Sequence, residues 1–81
     1  MIRLFVMIPA LQELFACSFT ADASLEANLI LFAEMNRPLL TGRLMFDGNT
    51  VVIERESGTV CSLNMTLRSQ ALQDGMTIII Y

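Results

Sequence analysis

The chain opens on Ile2-Arg3-Leu4-Phe5-Val6-Met7-Ile8, apolar at six of seven positions, and closes on Thr77-Ile78-Ile79-Ile80-Tyr81. Neither run alternates apolar with polar as a half-exposed strand would, so both predict strands buried on most of two faces. Pro9 ends the first, because it has no N–H to give a central ladder. Residues 9–12 make a turn, and Glu13 to Thr20 return as a second strand. In that strand Phe15, Cys17 and Phe19 share one face, and Leu14, Ala16, Ser18 and Thr20 the other.

Asp22 and Ser24 are candidate helix caps, and from Leu25 to Met35 the period becomes helical. Leu25, Leu29, Phe32 and Ala33 form one apolar stripe, with Glu26 in the first turn, where the helix dipole favours it. Ile30 and Leu31 fall off the stripe. They either form a contact surface or lie under the loop that follows. Asn36-Arg37-Pro38 stops the helix. Residues 39–46 fit a turn, a short helix, a strand or a packed loop, and Asp47-Gly48-Asn49 is a turn. Thr50 to Arg55 and Thr59 to Leu63 read as a hairpin about Glu56-Ser57-Gly58. Asn64 or Thr66 can cap a short helical turn, and Gly75 fits a positive φ before the last strand.

Strands buried on both faces belong in the middle of a sheet. The N- and C-terminal strands therefore lie side by side, with one hairpin partner outside each and the helix across one face. The expected fold is α+β, a β-grasp with a mixed sheet of four to five strands, built as a single domain over residues 1–81. It places Cys17 and Cys61 on opposite edges, too far apart for a disulfide.

Composition sharpens this picture. Of 81 residues, 54% are hydrophobic and only 16% charged, against roughly 25% charged in an average domain. So small a chain cannot hide that much apolar surface, and the excess predicts a contact patch for a protein partner or for self-association. Ile30, Leu31 and Met35 on the helix, with Leu39 and Leu40 after it, are the predicted contact residues. Net charge is −3, every basic residue is Arg and there is no Lys. With no basic stripe, nucleic acid and anionic membranes are disfavoured. No apolar run reaches the roughly 18–20 residues of a membrane span. Leu14-Phe15-Ala16-Cys17 loosely imitates a lipoprotein signal, but Gln12 and Glu13 interrupt the apolar region, so the expected location is cytoplasmic.

The candidate chemistry is sparse. Without His there is no Ser-His, Cys-His or His-carboxylate pair and no Cys/His metal site. Asp47-Gly48-Asn49 lacks the remaining ligands of a calcium loop. No phosphate-binding glycine loop occurs, and Glu54 and Glu56 read as a solvated hairpin face. The expectation is no enzyme, no catalytic or metal-binding residue, no cofactor and no small-molecule substrate.

These residues resemble the ubiquitin-like proteins. Within them, Ile2 to Pro9, Ser57-Gly58-Thr59-Val60, Leu63-Asn64-Met65-Thr66-Leu67 and Leu72-Gln73-Asp74-Gly75-Met76-Thr77-Ile78 are similar to the EsaB/YukD-like proteins of bacterial type VII (ESX-like) secretion. The resemblance implies an accessory or regulatory protein that could be recruited to a membrane-bound secretion complex. Carrier members of the fold end in a mobile Gly-Gly, whereas this chain ends Ile80-Tyr81 in an expected strand. Binding is therefore expected rather than conjugation or sulfur transfer. A homo-oligomeric β-grasp subunit is the alternative.

Overall fold

A computed structural model describes residues 1–36 and 50–81. The predicted contact residues Leu39 and Leu40 and the Asp47-Gly48-Asn49 turn lie outside them. Strand β1 (Ile2–Ile8) leads through a 3-10 turn, Pro9–Leu11, into β2 (Glu13–Phe19). Helix α1 (Leu25–Met35) follows, then β3 (Val52–Glu54), β4 (Val60–Cys61) and β5 (Thr77–Ile80). The sheet order is β2-β1-β5-β3-β4. The first and last strands pair in parallel at its centre, Phe5 opposite Thr77 and Met7 opposite Ile79, and Cys17 and Cys61 sit on opposite edge strands.

The parallel centre is fastened at its start by the Asp74-Gly75 turn. Arg3 donates its N–H to Asp74 Oδ1 at 2.7 Å, and Gly75, at φ +89°, donates to the Arg3 carbonyl at 2.8 Å. Phe5 then donates to the Met76 carbonyl. A β-carbon at Gly75 would meet nothing, so it is the positive φ that calls for glycine there.

Helix α1 begins where the sequence predicts. Ser24 is its cap, the Oγ accepting from the Ala27 N–H at 3.1 Å. The N–H groups of Leu25 and Glu26 donate to the carbonyls of Met65 and Leu63, so the helix start is tied to the chain leading out of β4. The predicted stripe faces the sheet. Leu25, Leu29 and Phe32 are buried against Leu4, Val6, Ile8, Val52, Ile78 and Ile80, and Leu67 and Leu72 close the core's end.

Leu67 and Leu72 belong to a Schellman closure: the Leu72 N–H reaches the Leu67 carbonyl and the Ala71 N–H reaches that of Arg68. Ala71 takes φ +58°, where glycine is favoured. Ala71→Gly should therefore stabilise the fold, by up to about 1 kcal/mol, read as a raised denaturation midpoint.

One expectation is corrected. The two central strands are not buried on both faces. Leu4, Val6, Ile8, Ile78 and Ile80 are fully enclosed, but Phe5, Met7 and Ile79 are only half-buried and Arg3 is exposed. The reason is geometric: one helix covers one face, and among the described residues no helix or strand covers the other.

Candidate interaction surfaces

On the face that no described helix or strand covers, one apolar row runs from edge to edge. Strand register sets Leu14 opposite Met7, Met7 opposite Ile79, Ile79 opposite Ile53 and Ile53 opposite Val60. Partners in register share a face, so these five residues form one row across all five strands. Its ends are the most open, Leu14 at 56% and Val60 at 66% exposed. Beside this row Val51 and Tyr81 exchange backbone hydrogen bonds, 2.9 Å and 3.4 Å, and both are exposed. On the other side lie Phe5 and the exposed Arg3 and Arg55. Sequence reasoning missed this surface, having placed its central members inside. The alternating phase of β2, which puts Leu14 and Ala16 opposite Phe15 and Cys17, was the available signal.

The predicted helical contact residues are exposed: Ile30, Leu31 and Met35 at 44%, 56% and 75%. They do not form one patch. Leu31 and Met35 line a groove of about 420 Å³ between α1 and β2, floored by Phe15, Phe19 and Phe32, whereas Ile30 is not among its lining residues. Phe15 meets Phe32 edge to face, the centroids 5.3 Å apart, a geometry that suits aromatic quadrupoles. At one end the groove stops at Asn28, a helical polar residue that proves to be buried. Its Oδ1 accepts from the Thr20 N–H at 2.8 Å, and its Nδ2 donates to the carbonyls of Thr20 and Ser24 at 3.0 and 2.9 Å.

The Glu54 reading is corrected too. Glu54 lies on the inward phase of β3 with Val52 and is 7% exposed, not part of a solvated face. Its carboxylate accepts the N–H groups of Glu56 at 2.7 Å and Ser57 at 3.0 Å, and Gly58 at φ +71° completes the turn. The Glu56 N–H first, then that of Ser57, holds the carboxyl below its ordinary 4.5, against the opposing effect of burial. A depressed folded-state pKa gives stability that is present above the ordinary value and lost as pH falls through the folded one. Wild type should therefore exceed Glu54→Gln in stability at neutral pH, and the gap should shrink below pH 4.5, as urea titrations at several pH values would show. Cys17 and Cys61 are free thiols, both pushed above their ordinary pKa chiefly by burial, which makes them less nucleophilic.

No helix among the described residues is long and apolar enough to cross a membrane. By sequence, no family model and no curated protein matches the chain. By structure, the chain is similar to the N-terminal ubiquitin-like domain of the 4931431F19Rik protein. That match has a TM-score of 0.70 and 15% identity, over 99% of this chain and 72% of that one. The ubiquitin-like domain of EccD5 from Mycobacterium xenopi is similar at 0.68 and 16%, over 99% and 91%. That of the type VII secretion system protein ECCD1 from Mycobacterium tuberculosis is similar at 0.61 and 16%, over 99% and 98%. Identities this low carry the fold alone. The chain has the ubiquitin-like β-grasp fold, a mixed five-stranded sheet with one helix packed on it.

Proposed function

We propose that this chain is a non-catalytic protein-interaction module that serves as an accessory or regulatory component of a bacterial type VII secretion system. The observation that carries the binding role is the apolar row from Leu14 to Val60 on the uncovered sheet face. No described helix or strand covers this face, and contiguous apolar patches on small domains mark contact surfaces. The secretion role draws on the resemblance to EsaB/YukD-like proteins and on the two structural neighbours from mycobacterial type VII systems.

The test is genetic. Deleting the gene should stop export of the small helical-hairpin substrates of such a system, and wild type should restore it. A chain carrying Val51→Asp and Val60→Asp should not, although both sites are exposed and the fold should lose no more than about 0.5 kcal/mol at each. Unchanged export after deletion would refute the secretion role, and full rescue by the double variant would refute the sheet face.

A further inference from the structure

A second cavity, of about 410 Å³, lies between the β3–β4 hairpin and the Schellman closure. Its walls are largely apolar, from Val60, Met65, Leu72 and Met76, and Glu54 is the one charged residue lining it. The other polar groups are already engaged. The Gln70 carboxamide accepts the Ser62 N–H at 2.8 Å and donates to the Ser62 carbonyl at 2.9 Å, as a neighbouring strand would. The Ser57 Oγ donates to the Thr59 Oγ1 at 2.9 Å. The Glu54 carboxylate is different. Its Oε2 accepts from the Glu56 N–H and its Oε1 from the Ser57 N–H. Each carboxylate oxygen can accept two hydrogen bonds, so one position stays open on each. Among the described residues no cation balances this charge. Arg68 pairs with Asp22 at 2.9 Å, Arg3 and Arg55 are exposed and do not line the cavity, and the chain has no Lys.

We propose that this cavity takes the arginine side chain of a protein partner, its guanidinium paired with Glu54 and its stem lying along Met65, Leu72 and Met76. A buried charge is stable when it is paired, and here the pairing group has to come from outside the described chain. The planar fork of a guanidinium presents two N–H groups to two carboxylate oxygens, and its weak hydration suits apolar walls. An ammonium is a strongly hydrated point charge, and the engaged polar groups around the cavity leave little to replace its water. The methionines are unbranched and adapt to the stem. This contact is additional to the apolar row. Glu54 and Cys61 take the buried phase of β3 and β4, whereas Ile53 and Val60 take the outward one. A single blocked amino acid tests the cavity without the sheet face, so either proposal can fail alone.

The experiment adds N-acetyl-arginine N-methylamide to the full chain and follows its methionine methyl and backbone amide signals by NMR. The methyls of Met65 and Met76 and the amides of Glu56 and Ser57 should move together and saturate in the millimolar range, while the methyls of Met7 and Met35 stay in place. Blocked citrulline, which has the same shape without the charge, and blocked lysine should each bind roughly tenfold more weakly. Glu54→Gln should weaken binding by a similar factor, whereas Glu56→Gln, at an exposed neighbour, should not. Met65→Lys, at a position 44% exposed, puts an ammonium on the cavity wall and should exclude the probe with the fold intact. Met65 and Met76 methyls unmoved at the solubility limit of the probe would overturn the proposal. So would citrulline binding as tightly as arginine, or undiminished binding to Glu54→Gln or Met65→Lys. Equal binding of blocked lysine would overturn the assignment to arginine.

Discussion

Replacing Asn28 by Asp should destabilise the protein by about 2–4 kcal/mol, because a buried polar group that loses its partner costs roughly 1–3 kcal/mol and a buried charge facing carbonyl oxygens costs more. The substitution is nearly isosteric, so packing is conserved and only hydrogen bonding changes. In the native protein the amide nitrogen faces the carbonyl oxygens of Thr20 and Ser24 and, at 3.5 Å, that of Ala23, and the amide oxygen faces the Thr20 N–H. A carboxylate keeps the last contact and turns the others into oxygen against oxygen. Its pKa would be raised, so the penalty is full above the ordinary carboxylate pKa and shrinks as the pH falls and the group protonates. Urea denaturation of both proteins at neutral and acidic pH reads the effect. An equal loss at both pH values would mean that lost packing, not the lost donor, is responsible.

Leu29→Ala should cost about 3 kcal/mol, within the roughly 2–5 kcal/mol found for buried leucines. Leu29 has no exposed surface and sits mid-stripe on α1, the one described helix packed against the sheet. A domain of this size shifts its thermal midpoint by about 4–8 °C per kcal/mol, so a fall of roughly 12–24 °C is expected. Leu31→Ala, two residues away, is the internal control. It changes the same side chain at 56% exposure and should stay within about 0.5 kcal/mol of wild type. Similar losses at both positions would contradict the division of α1 into a buried stripe and an open edge.

That division was legible in the sequence, and so was the fold. The 3.6 period isolates Leu25, Leu29, Phe32 and Ala33, Ser24 supplies the cap, and the two apolar terminal strands locate the parallel centre of the sheet. What escaped was the side of each strand on which burial falls. An unbroken apolar run such as Leu4 to Ile8 looks the same whether both faces are packed or one is kept open for contact. Only the count of covering layers tells them apart, and one described helix covers one face. Glu54 and Asn28 escaped for a related reason. A polar residue in an amphipathic pattern is ordinarily solvated, and nothing local shows that the Glu56 and Ser57 N–H groups, or both backbone groups of Thr20, converge on it. The groove was half legible: Leu31 and Met35 were identified from the helix, but their partners Phe15 and Phe19 arrive from a distant strand.

The central claim is that the apolar row on the sheet's uncovered face is a protein contact in the cell. A photo-crosslinking residue placed at Val60 measures it most directly, with the exposed Ser69 of the Schellman turn as control. Irradiating living cells should give a discrete adduct from position 60 and none from position 69. No adduct from position 60, or equal adducts from both, would contradict the account.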